Sequence, residues 1–170
     1  LTIEVSEGKH RYLGVGAQFS TTDGAGLQGY WGHRNLFGKA ESLRVEAAVN
    51  RIGETTKIEE IDYAAGIIFS KPGIFNPSTT LNASLKAKTE NPDNYTAKSV
   101  TGYVGFDYEL SDTDKAKAGV EVEYARTEDA FGKNDYLTTS LPLALERDMR
   151  DNNLDPTEGY TASISAKPSY

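Results

Sequence analysis

Apolar and polar residues alternate with a period of two along most of this chain, and turn-forming residues interrupt the alternation at nearly regular intervals. Leu13, Val15, Ala17 and Phe19 alternate with Gly14, Gly16, Gln18 and Ser20, and Leu43, Val45, Ala47 and Val49 alternate with Arg44, Glu46, Ala48 and Asn50. The same rhythm carries Ile61–Phe69, Leu81–Lys88, Val100–Leu110, Ala118–Tyr124, Leu137–Leu145 and Ala162–Ala166. A period of two sends successive side chains to opposite faces of a strand, so each segment owns one apolar face and one polar or small-residue face.

Turn signals fall between these runs, at Thr22–Gly26, Arg51–Glu54, Lys71–Pro77, Asn91–Asn94, Ser111–Asp114, Gly132–Asp135 and Asn152–Gly159. Adding the short run Leu27–His33, the pattern predicts about nine antiparallel strands joined as simple hairpins. Ala40–Asn50 and Leu141–Arg150 are rich in good helix formers, but the regular spacing around them favours strands.

Which face lies inside decides the class. A soluble sandwich turns its apolar faces inward, whereas a membrane barrel turns them to lipid and keeps polar and small residues for the lumen. Several runs extend to about nine to eleven residues, the length of a tilted membrane-spanning strand and longer than the five or six usual in sandwiches. Tyr12, Phe19, Tyr30, Trp31, Phe37, Phe69, Phe75, Tyr108, Tyr136, Tyr160 and Tyr170 gather near the run ends, as an interfacial aromatic girdle requires. Mean hydropathy is −0.52 and hydrophobic residues make up 38% of the chain, too few for a large dry core. The expected fold is therefore all-β, an antiparallel up-and-down transmembrane β-barrel, here partial with about nine strands. The alternative is a soluble acidic β-domain that binds a protein partner.

The chemistry is mostly negative. A net charge of −7 argues against nucleic acid, which needs a basic face. Zero Cys excludes disulfides, thiolate metal sites and Cys nucleophiles. His10 and His33 lack the spacing of a transition-metal site, and Gly14 and Gly16 lack the third glycine and the helix of a dinucleotide loop. Asp151-x-Asn153-x-Asp155 begins like a calcium loop, yet Pro156 and Ala162 stand where Gly and Glu are needed. It reads better as a turn entered at Asp155 and Pro156 and left at Gly159. Glu121 and Glu123 share a face with Lys86, Lys88, Asp107 and Glu109, which suits a solvated lumen crossed by charge pairs more than an acid/base pair. No enzyme, metal or cofactor is expected.

Three stretches resemble the outer-membrane insertase superfamily of the BamA and TamA type. LTIEVSEGKH, residues 1–10, resembles the last strand of a final periplasmic POTRA domain running into the barrel. YLGVGAQFSTTDGAGLQGYWGHRNLFGKA, residues 12–40, resembles the first barrel hairpin with its periplasmic turn Arg34-Asn35-Leu36-Phe37-Gly38. DNNLDPTEGYTASISAKPSY, residues 151–170, resembles a mid-barrel periplasmic turn, with Asp155, Pro156 and Gly159 in it. The short hairpin loops are more similar to TamA-type members than to BamA.

The resemblance implies residues 1–11 as the end of the last POTRA domain or a linker, and 12–170 as the N-terminal half of a barrel of about sixteen strands. Starting at Leu1 without Met or a signal peptide, the chain reads as a clipped piece or a mature fragment. The resemblance also implies a bacterial outer-membrane location and help with insertion, assembly or translocation of β-barrel and autotransporter clients at a weak seam. The seam strand would be Tyr12, Leu13, Gly14, Val15, Gly16, Ala17, Gln18 and Phe19, with glycines either easing its opening or relieving barrel curvature. A two-partner-type secretion pore is the alternative within the superfamily. Expected partners are the lipid bilayer, unfolded or nascent barrel clients, an inner-membrane or lipoprotein partner, and a second copy of the fragment.

Overall fold

The computed structural model describes residues 8–20, 24–53, 61–92, 94–152 and 154–170. Residues 1–7 of the expected POTRA remnant, and parts of the expected turns at 22–26, 51–54, 91–94 and 152–159, lie outside them.

Ten strands form one antiparallel meander, β1(Arg11–Ser20), β2(Gly24–His33), β3(Ser42–Ile52), β4(Asp62–Pro72), β5(Thr79–Glu90), β6(Tyr95–Glu109), β7(Asp114–Asp129), β8(Gly132–Ser140), β9(Leu143–Asp148) and β10(Thr161–Ala166). They occupy nine positions in the sheet, because β8 and β9 are one strand interrupted at Pro142. Pairing on β7 passes from Glu121↔Ser140 to Ala118↔Leu143 with no shift. Pro142 has no N–H to give, but its carbonyl still accepts the Gly119 N–H at 3.0 Å. Beyond β10 the chain follows β8, with Thr139 and Tyr170 exchanging backbone hydrogen bonds at 2.8 and 2.9 Å. The stretches rich in helix formers are strands, since their alternating faces match their neighbours.

Each sheet neighbour is also a sequence neighbour, so the chain is up-and-down and the sheet is open, ending at β1 and β10. Among the described residues one irregularity occurs, between β2 and β3, where the register shifts between Ala25 and Leu27. Arg51 takes the extra position with φ 64° and donates through Nη1 to the carbonyl of Asn91. Such a bulge bends the strand and adds twist.

Burial is inverted relative to a water-soluble domain. No hydrophobic side chain is buried among the described residues; those that are buried are Glu41, Thr79, Asn91, Ser99 and Ser140. Registers carry Leu13, Trp31, Val45, Ile67 and Leu85 to one face, and Tyr12, Tyr30, Glu46, Lys86 and Thr101 to the other. Gly16 on β1 and Glu123 on β7 line one concavity of about 580 Å³, so the sheet curls around its polar face.

Candidate functional site: an outward apolar band and an edge hairpin

The outward face carries a band whose limits are set by charge. On β7 the outward residues Ala116, Ala118, Val120, Val122 and Tyr124 lie between two cross-strand ion pairs, Asp114–Arg147 and Arg126–Asp135, each 2.6 Å. Those bounds enclose eleven residues, 115–125, the span of a tilted membrane strand. Beyond Arg126 the hairpin carries a further pair, Glu128–Lys133, at 3.0 Å. On their own strands the outward aromatic residues lie toward the two ends, with Trp31, Phe69, Phe106 and Tyr108 toward one and Phe19, Tyr63 and Tyr124 toward the other. Phe75, from the β4–β5 connection, packs on Phe106 at a ring distance of 5.6 Å.

β1 closes this face at one side and pairs with β2 alone among the described residues. Leu13, Val15 and Phe19 are 74, 84 and 78% exposed, so the outward side of the edge strand is bare apolar surface. The eight predicted seam residues, Tyr12 to Phe19, all lie in β1.

The polar side of this hairpin follows a rule of its own. Four successive pairs, Tyr12↔Gly32, Gly14↔Tyr30, Gly16↔Gln28 and Gln18↔Gly26, each set one glycine opposite one large residue. A Cβ on Gly14 would lie 2.2 Å from the Tyr30 ring, and one on Gly32 would lie 2.1 Å from the Tyr12 ring. Each ring therefore lies flat across the opposite glycine, and the two rings meet edge to face at 6.0 Å. The Arg34 guanidinium sits 5.0 Å from the Tyr12 ring and that of Arg44 sits 4.1 Å from the Tyr30 ring. Sliding the hairpin by two residues would set Tyr12 against Tyr30 and Gly16 against Gly26. The outward apolar face would tolerate that slip; the glycine face forbids it.

The 34–41 connection is folded on its own hydrogen bonds. Asn35 Oδ1 accepts the Ala40 N–H at 2.9 Å, and Leu36 N–H donates to the Glu41 carbonyl at 2.9 Å. Gly38 takes φ 90°, a value that favours glycine. Phe37 is 74% exposed. Glu41 is 1% exposed, and its carboxylate accepts the Lys39 N–H at 3.0 Å and faces Lys71 Nζ at 3.4 Å. Burial works against its ionisation, but those donors outweigh it and hold the carboxyl below the usual carboxylate range.

The 149–160 connection is organised by Asp151. Its carboxylate accepts the Thr157 hydroxyl at 2.6 Å and the N–H groups of Asn152, Thr157 and Glu158 at 2.9 to 3.1 Å. The Thr157 hydroxyl above all, with those N–H groups, lowers its pKa to about 2. Asp155 and Pro156 lie within this loop, whose entrance is governed by Asp151 and Asn152. Gly159 leaves it at φ 100°, where a Cβ would sit 2.1 Å from the Met149 carbonyl oxygen. The acidic side chain that opens the calcium-like string is thus saturated by N–H and O–H donors.

The structure gathers Tyr12–Phe19 with Arg34 at one edge and places Asp155, Pro156 and Gly159 by the other, next to β10. Sequence reasoning missed the roles of Tyr30 and Gly32. The signal was present as Tyr12-x-Gly14 and Tyr30-x-Gly32, which a turn centred near 22 sets against each other. Glu41, Lys71 and Asp151 gave no signal, because their importance comes from burial and from backbone donors.

The sequence pattern of one family, the Omp85 superfamily domain, matches residues 35–170. No curated protein matches the chain at a significant level.

Proposed function

This chain belongs to the Omp85 superfamily, and we propose that it assists the insertion and assembly of outer-membrane β-barrel and autotransporter proteins by offering β1 as an edge to an incoming strand. Membership brings a general role in insertion or secretion of outer-membrane proteins, exercised by insertases and transporters rather than enzymes, at the bacterial outer membrane. In this reading residues 1–11 end a POTRA domain and 12–170 form the N-terminal half of the barrel, of the TamA type.

The observation that supports the reading is the position and make-up of β1. It ends the sheet, its outward side chains are exposed and apolar, and its polar side carries two glycines. A strand in hydrocarbon must find backbone partners within protein, because lipid supplies none. β1 supplies a row of donors and acceptors to a client strand through β-augmentation, which binds main chain and tolerates varied side chains. A two-partner-type secretion pore would instead use the concave polar face between Gly16 and Glu123.

Folding of a client barrel into vesicles containing the protein tests the choice. The expected result is client folding at least about tenfold faster than in empty vesicles, a barrier change near 1.4 kcal/mol, without a lasting large conductance. Steady conductance with unchanged folding rates would overturn the proposal in favour of the pore.

A further inference from the structure

The chain has 2 histidines, and the fold stacks one on the other. The rings of His10 and His33 are 5.9 Å apart and 15° from parallel, at the foot of the β1–β2 hairpin where it meets the 34–41 connection. Arg34 N–H donates to the His10 carbonyl at 2.8 Å, and Asn35 N–H donates to His33 Nδ1 at 3.2 Å. A ring nitrogen that accepts a backbone N–H carries no proton of its own, so this bond requires His33 Nδ1 to be unprotonated.

Among the described residues, the surroundings give a second positive charge no carboxylate partner. On β1, Arg11 stands directly opposite His33 in the register, and Lys9 precedes His10. Arg34 follows His33, its guanidinium over the Tyr12 ring. β3 presents apolar Leu43 opposite His33. Glu41, the carboxylate of the same connection, is engaged by Lys39 N–H and Lys71 Nζ. Among the described residues no carboxylate bonds either imidazole.

We propose that the His10–His33 stack is an acid-sensitive latch on the β1–β2 hairpin. Protonation turns His33 Nδ1 from acceptor to donor and breaks its bond to Asn35 N–H. It also sets an imidazolium against Arg11 and against the second ring. Asn35 then loses the anchor that lets its side chain hold Ala40 N–H, and the connection loosens at the base of the edge hairpin. Histidine is the side chain whose charge ordinarily changes between pH 5 and 8, so the latch responds to mild acid. The inference concerns the hairpin's own conformation and stands apart from its role toward clients.

The chain's 1 tryptophan reports on the site, since the Trp31 ring lies 6.4 Å from His33 and an imidazolium quenches indole fluorescence. The protein in lipid vesicles is titrated from pH 8 to 5, following Trp31 emission and amide exchange of residues 34–40 corrected for its intrinsic pH dependence. The expected result is one sigmoidal fall in emission, accompanied by about a tenfold loss of protection at 34–40, the scale of one hydrogen bond. Both changes vanish in His33→Gln. In His10→Gln both persist, because the bond between His33 Nδ1 and Asn35 N–H is still there to break. A fall in emission with unchanged protection at 34–40 would overturn the latch, as would identical titrations of His33→Gln and the native chain.

Discussion

On β1 and β2 the polar face is held by shape. Each pair from Tyr12↔Gly32 to Gln18↔Gly26 fits a large side chain onto a glycine, and among the described residues no ion pair joins the two strands. From β6 to β10 it is held by charge. Lys117 reaches Glu146 at 2.8 Å, Lys167 reaches back to Glu121 at 2.6 Å, and Glu123 accepts from Thr101 at 3.3 Å. Strand lengths differ in the same sense, 10 residues in β1 and β2 against 15 and 16 in β6 and β7. In β1 and β2 these fits lie within one hairpin and set its register, whereas the Lys167–Glu121 contact ties residues from different hairpins together. An edge that must admit another strand is better built the first way, because few side-chain contacts extend beyond the hairpin.

Glycine substitutions separate the two regions most strongly. A Cβ at Gly105 would lie 2.1 Å from the Tyr103 hydroxyl and 2.8 Å from the Ala118 carbonyl oxygen, which is backbone and cannot swing aside. At Gly14 the three nearest atoms all belong to the Tyr30 side chain, which can swing aside. Gly105→Ala is expected to cost about 3 kcal/mol in chemical unfolding from vesicles and Gly14→Ala about 1–2 kcal/mol, within the range of overpacking. Adding Tyr30→Ala to Gly14→Ala should recover part of that cost; no recovery would mean that the glycine serves backbone curvature.

Charge has a smaller reach. Lys117→Gln removes a pair whose side chains are 39 and 43% exposed, so the expected loss is about 0.5 kcal/mol, shrinking at high salt. The same salt series should leave the β1–β2 hairpin unchanged, as followed by exchange of its amides.

Acid gives the most local effect. The Asp151 pKa is depressed to about 2, so its contribution is complete above the ordinary carboxylate range and fades as pH falls from about 4 toward 2. Limited proteolysis with an acid-active protease should open the 149–160 connection across that window in the native chain. Asp151→Asn should show the opened pattern already at pH 5.

Period-two alternation was enough to place nine sheet positions, because the apolar face of each strand is dictated by its own sequence. Strand Leu137–Leu145 was legible as one element even though Pro142 divides it in hydrogen bonding, since the side-chain alternation passes through unbroken. The face assignment was legible too, but its meaning required knowing that no apolar side chain is buried among the described residues. Less could be read of the connections. Glu41 and Asp151 resemble any surface acids until the backbone folds donors onto them. For Gly14 the sequence offered easy opening or curvature, and the cross-strand register added a third account, the seat of the Tyr30 ring.

The central claim is that β1 is the strand a client meets. The chain contains 0 Cys, so single cysteines can be placed at Val15 on the edge strand or at Val122 on interior β7, both facing outward. The measurement is disulfide crosslinking to a client barrel carrying one cysteine in its terminal strand, stalled during insertion into vesicles. The account expects crosslinks from Val15→Cys, none from Val122→Cys, and a matching shift when the client cysteine moves by two residues. Equal crosslinking at both positions, or none at Val15→Cys while the client still folds faster, would contradict it.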